Sequence, residues 1–508
     1  MYDVIIIGCG PVGALAANLL GKAGLSVLVL ERETELHPLP RAVHLDHEMM
    51  RLFQSAGVID AVLPLMRDTD GHLHIGADHG VIRYMGTVGK PRPFGWSNDY
   101  FFYQPELEAT LRDGFAVYRH VEMRLGAAFE RLEQSDAGVT VIYAQGGIPA
   151  QAQTRWVIAC DGSRSAVRKA LGIALEDLDF EEPWLVVDAE VDGPVAFPVL
   201  TGVPEEADLQ RLSVMMCDPQ RPTTIVPGRG NHRRWEFMLL PGEDDAIMMQ
   251  PAQVAKLVRP YLGNVQHRIV RASTYRFHGL VAAQWQAGAV FLAGDAAHQT
   301  PPFFGQGMCH GFRDVANLAW KMAAIVQDGA DPAILDTYQP ERDAHVRSVI
   351  GAAVGAGRYI CELDPAKAAV RDAQFRAAAK QAAPETAADL IPAIQTGIVL
   401  TGTSGAGERF IQSRIGDRLL DDVTGGGWRL FVHGAPVQHD PSDVTIAYCD
   451  DLADAGAVRD WLTTRGVKSV LVRPDHYVFG TAQDNGISLL NARCAALGLT
   501  QNIHMEIA

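Results

Sequence analysis

Apolar residues in the first thirty positions fall into two short continuous runs separated by a helical stretch. Val4 to Ile7 is aliphatic throughout and rich in β-branched residues, the pattern of a strand buried on both faces. Gly8, Gly10 and Gly13 follow at once in the spacing GxGxxG. A helix is predicted from about Val12, and Ser26 to Leu30 forms the next strand with Glu31 at its end. The strand WVIA runs into CDGSRSAVRKALG, and an apolar strand from Phe291 runs into AGDAAHQTPPFFGQGM. Between these stretches the period changes. RRWEFMLL alternates, RPTTIVPGRG carries a turn signal, and HLHIGADHGVIRYMG and about 183–275 are strand-rich, which predicts an antiparallel sheet. From Asp364 to about Ile391 an Ala-rich, evenly charged stretch predicts a helix stopped by Pro392, and TGTSGAGERF marks a linker or loop. The tail carries short strands in WRLFVHG, VTIAYCD and SVLVRPDHYVFG, with a helix near Ala457 to Arg465.

Each glycine of the first turn has its own physical role, respectively a tight turn, close approach of backbone to a pyrophosphate, and close helix–strand packing. The following helix points its first amides at the phosphates. Glu31 is placed to hold ribose hydroxyls, or is a solvated surface acid. A carboxylate there disfavours a 2′-phosphate, so the unit suits FAD or NAD rather than NADP. Asp161 and Gly162 make a second turn, which by itself is a capped start to a helix carrying Arg164, Arg168 and Lys169. In the third stretch, Pro301 and Pro302 remove conformational freedom, whereas Gly305 and Gly307 allow close backbone approach.

At 508 residues the chain exceeds one hydrophobic core, so two or three domains are expected. A net charge of −16 argues against nucleic acid or an anionic membrane as main partner. The seven cysteines are scattered without a CxxC pair, which fits a reducing compartment and offers no Cys-based metal site; no metal is expected. No apolar run approaches the roughly eighteen residues of a membrane span, and the N-terminus lacks a basic leader segment. A soluble cytoplasmic protein is expected, and a homodimer is compatible with the sequence.

GCGPVG, CDGSRSAVR and AGDAAHQTPPFFGQG occur in this order at wide spacing, and together they resemble the signature set of group A FAD-dependent aromatic monooxygenases. RRWEFMLLPGE and LAGDAAHQTPPFFGQGM most resemble the 3-(3-hydroxyphenyl)propionate hydroxylase branch, strongly over about 1–360 and weakly beyond. The resemblance implies an α/β fold. A Rossmann-like FAD-binding domain of the para-hydroxybenzoate hydroxylase type would occupy 1–70, 105–180 and 275–360, with an antiparallel substrate-binding sheet in 71–104 and 181–274. A helical linker at 361–407 would lead to a thioredoxin-like domain at 408–508. Without a CxxC, and with Cys449 and Cys494 far apart, that domain is expected to be structural or oligomerising.

Expected FAD contacts are Gly8, Gly10, Pro11, Val12, Gly13, Glu31, Arg32, Arg41, Gln104, Asp161, Gly162, Gly294, Asp295, Pro302, Gly305, Gln306, Gly307 and Met308. Asp295 would accept a bond from the ribityl chain and Pro301 to Met308 would lie along the isoalloxazine. Gln104 also reads as a helix-capping residue and Arg41 as a surface charge.

The implied reaction is reduction of FAD by NADPH or NADH, addition of O2 at the flavin C4a carbon, and transfer of oxygen from that hydroperoxide to an activated phenol. A 3-(3-hydroxyphenyl)propionate-like acid is the leading substrate. A larger polyphenol, polyketide or antibiotic, or a reductase that does not oxygenate, are the alternatives. The WxWxIP pattern of halogenases on this fold is absent. A base that takes the phenol proton is expected, with His44, Tyr103, His232 and His298 as candidates on residue type alone, each equally readable as a structural residue. No second GxGxxG marks the nicotinamide site, so both nicotinamides stay open. Phe304 and Cys309-His310 depart from the commoner form of the third motif, and Cys309 is expected to pack rather than react.

Overall fold

A computed structural model describes residues 1–379, 391–437, 441–452 and 456–499. The strand Tyr2–Ile7 is followed by the helix Pro11–Lys22 and the strand Val27–Glu31, as the apolar pattern predicts. Tyr2–Ile7 lies centrally in an eight-stranded sheet, between Val27–Glu31 and Ile148–Ala159, and the latter pairs in turn with Val290–Leu292. These pairings are all parallel, and their register sets Ile7 beside both Leu30 and Ala159, and Ala159 beside Leu292. The three turns seen in the sequence therefore leave one edge of one sheet. The helices Pro11–Lys22 and Gly307–Ala323 pack against each other over it.

A second eight-stranded sheet runs in the order His298–Gln299, His267–Ala282, Leu175–Val191, His232–Met238, Thr223–Pro227, Leu212–Met216, Gly71–Ile75, Val81–Gly86. It is antiparallel except where Leu212–Met216 runs parallel to Gly71–Ile75, strands brought together from distant parts of the chain. Alternation assigns its faces. Leu73, Ile75, Leu185, Val187, Val214, Ile225, Trp235 and Phe237 form one core with Val254, Val258 and Leu262 of the helix Pro251–Leu262. Trp184, Met215 and Met238 join the other core, which includes Phe303 and Phe304 of the third motif.

The helix expected over 364–391 is present as Pro365–Ala379; positions 380–390 lie outside the described residues. In the tail, the four-stranded sheet runs Val444–Tyr448, Trp428–Val432, Ser469–Val472, Val478–Ala482, with helices Gly456–Thr464 and Ile487–Ala496. The second of these helices, ISLLNARCAA, is not among the elements the apolar pattern predicts. Among the described residues no helix is long and apolar enough to cross a membrane.

The tail is docked by buried charge rather than by grease alone. Arg51, on the helix His47–Ala56, donates to Asp421 at 2.6 and 2.9 Å, and Arg429 also bonds that carboxylate. Arg473 reaches Glu341 at 2.7 Å and Asp475 at 2.6 Å, and Asp475 accepts from Trp320 Nε1 at 3.0 Å. Burial alone would raise both Asp421 and Glu341, but their arginines hold them well below the usual carboxylate range. Because the folded pKa values are depressed, this contribution is complete above about pH 4, where the unfolded carboxylates ionise, and is lost as pH falls. Asp421→Ala should cost about 3–5 kcal/mol by stranding two buried arginines. Urea unfolding across a pH series should show the mutant–wild-type gap closing on acidification; a pH-independent gap would contradict this origin of the docking energy.

Candidate functional site

The first turn is held by contacts that only glycine permits. Gly8 has φ +93°, and a Cβ there would lie 2.5 Å from the Cys160 carbonyl oxygen; one on Gly13 would collide with the Gly8 carbonyl. Gly10 differs, for nothing lies within 4 Å of where its Cβ would point. Pro11 is the first residue of the helix and has no amide to leave unpaired. Glu31 accepts from the Cys9 amide at 2.7 Å and from the Glu33 amide at 2.9 Å, which places its nearly buried carboxylate under the turn. Arg32 is exposed and paired with Glu33 at 3.0 Å.

In the second turn, Asp161 Oδ2 accepts from the Ala166 and Val167 amides at 2.7 and 3.1 Å, while its other oxygen is buried without a partner. Gly162 has φ +81° and open space at its Cβ position. Arg168 donates to the Ala296 carbonyl at 2.9 Å and the Ser163 carbonyl at 3.0 Å, tying the second turn to the third. It serves the scaffold, whereas Arg164 and Lys169 are exposed.

Gly294 (φ +59°) and Gly311 approach each other closely around Val12; a Cβ on Gly311 would lie 2.6 Å from Val12 Cγ2 and 3.0 Å from the Gly294 Cα. The Gly294 amide donates to Asp314 at 3.0 Å. Asp295 is solvent-accessible yet ringed closely enough by protein that desolvation raises its carboxyl, with His298 and Arg41 opposing. Past Pro301, a single tight turn, Pro302–Phe304, leads to Gly305 (φ +63°) and the helix Gly307–Ala323. Gln306 is fully buried, its Oε1 accepting from Arg313 at 3.1 Å and its Nε2 unpartnered. Arg313 is clamped by Asp46 at 2.6 Å and Glu48 at 2.8 Å, and Glu48 accepts from Tyr477 of the tail at 2.8 Å. Arg313 and Arg409 outweigh burial and draw Glu48 down to about 2. This clamp was missed in the sequence; charged residues at the start of an otherwise apolar helix, HGFRD, were its only signal.

Gln104 Oε1 accepts from the Arg41 and Ala42 amides at 3.0 and 2.8 Å, so it pins that loop rather than capping its own helix. Arg234 supports the same loop from the second sheet, donating to the Arg41 and Pro40 carbonyls. Met308 packs against the main core. Phe303 packs inward against Phe180, Trp184 and Phe277, and Phe304 is buried with the Arg83 guanidinium 6.0 Å from its ring centre. Cys309 is buried and its thiol is pushed far up by desolvation, so it is no thiolate nucleophile.

The four base candidates separate. His298 is bound to Asp314 at 2.7 Å beside Trp285, and His232 to Asp188 at 3.0 Å among Arg234 and Arg271. Tyr103 donates to the Pro38 carbonyl at 3.3 Å. His44 lies directly against Gly305, its Nε2 bonded to Asp99 at 3.1 Å and its Nδ1 unpartnered.

Open space at Gly10 and Gly162, a crowded accessible acid at Asp295, and a buried unpartnered Gln306 amide all fit a pyrophosphate, a polyol and a flat heterocycle laid across the strand ends. The parallel sheet and its glycine turns together define a dinucleotide-binding protein. A family profile described as "FAD binding domain" matches residues 1–353. The chain is 34% identical to 3-(3-hydroxy-phenyl)propionate/3-hydroxycinnamic acid hydroxylase 2 of Burkholderia vietnamiensis, over 98% of this chain and 97% of the relative. It is also 34% identical to a probable NADH-specific resorcinol 4-hydroxylase of Rhodococcus jostii, over 95% and 92%. Aklavinone-11 hydroxylase, solved with FAD and aklavinone, superposes with a TM-score of 0.78 at 24% identity, covering 98% of this chain and 99% of that one. The chain belongs to the FAD-dependent aromatic hydroxylases.

Gly10→Ala should fill the open space where a pyrophosphate would lie without disturbing the fold, weakening FAD binding at least about ten-fold. Gly8→Ala should instead lower expression and thermal stability. Flavin fluorescence titration and circular dichroism would separate the two, and normal FAD affinity in Gly10→Ala would argue against this placement.

Proposed function

We propose that this hydroxylase acts on a small phenolic acid of the 3-(3-hydroxyphenyl)propionate type: phenol + O2 + NAD(P)H + H+ gives the dihydroxylated ring + H2O + NAD(P)+. When bound, FAD supplies the redox chemistry, taking a hydride equivalent from the nicotinamide and activating O2. The chain's own part is to hold it and to shape the pocket. Gly10, the Pro11 helix terminus, Glu31, Asp161 and Asp295 would hold the dinucleotide, and Gly305 to Met308 would border the ring. The amides that open the Gly307–Ala323 helix favour negative charge beside them.

The observation that supports an acid as substrate is the wall facing the third motif. Arg83 stands opposite His74 across the Gly71–Ile75/Val81–Gly86 pairing, on the same face of the sheet, with its guanidinium over Phe304. It supplies positive charge on a side otherwise lined by Met215, Met238 and Trp184. Apolar walls receive an aromatic ring and the cation suits a carboxylate. The substrates named for the two relatives above are both small phenols, which agrees in size.

The test is to follow NADH and NADPH oxidation and O2 uptake with a panel from 3-(3-hydroxyphenyl)propionate through resorcinol to bulky polyphenols. A product heavier by one oxygen, formed fastest from the phenolic acid, is expected. Arg83→Met should raise KM for the acid at least about ten-fold while leaving that for resorcinol nearly unchanged. Preference for resorcinol or for a polyphenol would overturn the assignment of substrate.

A further inference from the structure

Among the described residues, His72 alone is a histidine with both ring nitrogens buried and without a hydrogen-bond partner. It is 3% exposed, on Gly71–Ile75, and alternation turns it to the face opposite Leu73 and Ile75, toward the third motif. Its ring meets that of His44 edge-on at 5.3 Å, and His44 lies against Gly305. Ligand atoms of His44, His72 and Asp99 all lie within 4.8 Å of one another. The other histidines near this wall are engaged: His44 with Asp99, and His74 through Nδ1 with Tyr359 at 2.7 Å. Buried polar groups are normally paired, so an imidazole orphaned at both nitrogens marks a place for a partner from outside the chain.

We propose that His72 is the group that receives the substrate's ring hydroxyl, accepting its hydrogen bond, with Asp99 and His44 as positioning residues behind it. The inference rests on the hydroxylase reading above. No bond is broken in this step: the ring O–H donates to a neutral ring nitrogen of His72, which leaves added negative charge on the hydroxyl oxygen and fixes the ring for attack. The charged and titratable groups facing His72 are His44 from the strand His44–Asp46, Asp99 from Asp99–Phe101, Arg83 from Val81–Gly86, and His74 on its own strand. Burial first, then His44 and Arg83, push His72 down to about 4, with Asp99 opposing; it is therefore neutral and able to accept at neutral pH. Burial would lower His44 as well, but the bond to Asp99 raises it. A metal is the other occupant that two imidazoles and a carboxylate invite.

The probe is 4-nitrophenol, whose phenolate absorbs separately from the phenol, titrated into the FAD-loaded enzyme from pH 5 to 9. Wild type should bind the phenol form preferentially, with the phenolate band appearing at higher pH than in free solution. His72→Phe should weaken binding about ten-fold and return the band to its solution position, with FAD content unchanged. His72→Gln, which keeps an acceptor, should bind nearly as wild type and keep most of the shift, whereas His72→Phe with the phenolic acid should divert NADH oxidation to peroxide. Should His72→Phe not fold, His72→Leu, also without an acceptor, takes its place in both readouts. Wild-type affinity and shift in His72→Phe or His72→Leu, failure of the wild-type enzyme to bind nitrophenol, or zinc retained through purification and lost with His72→Phe would each overturn the proposal. No stimulation of NAD(P)H oxidation by any phenol would instead defeat the hydroxylase reading, independently of the nitrophenol spectra.

Discussion

The site depends on how closely backbone can approach backbone where strands and helices meet. Gly8 lies against the Cys160 carbonyl, Gly13 against the Gly8 carbonyl, and Gly311 against the Gly294 Cα with Val12 wedged beside them. Each contact leaves no room for a methyl group. They bring two helix starts, Pro11 and Gly307, down onto adjacent strand ends, so that partial positive charge converges where an anionic dinucleotide and a reduced ring would need it. Parallel register does the rest, since Ile7, Ala159 and Leu292 end together and deliver three distant turns to one edge.

The tail takes part in this arrangement indirectly. Tyr477 bonds Glu48, Glu48 and Asp46 hold Arg313, and Arg313 holds Gln306 at the entrance to the Gly307–Ala323 helix. Every member is buried, and such charges persist only because each is paired. The tail thus braces the start of the Gly307–Ala323 helix through this buried chain of bonds.

The second sheet divides labour between its faces. One side is a closed apolar core under the Pro251–Leu262 helix, which secures the sheet. The other side bears Met215 and Trp184, which join the larger core with Phe303 and Phe304, and beside them His72, His74 and Arg83. Likeness to aklavinone-11 hydroxylase at 24% identity extends to the scaffold alone.

Local patterns were enough to read the first strand–turn–helix–strand, the strand ends at Ala159 and Leu292, the alternating sheet and the Gly456–Thr464 helix, because burial on one or both faces writes a period into neighbouring residues. The glycine spacings likewise announced a dinucleotide, since only glycine satisfies those backbone approaches. What four candidate bases had in common was residue type, and type carries no partner information. Tertiary structure alone assigned His298 to Asp314, His232 to Asp188 and Gln104 to the Arg41 loop, joined Arg313 to residues more than 260 positions earlier, and left His72 without a mate. Hydrogen bonds between remote segments leave no periodic trace in the chain, so the sequence determined the scaffold and its cofactor class, and the packing of remote segments decided which polar groups remain free to act.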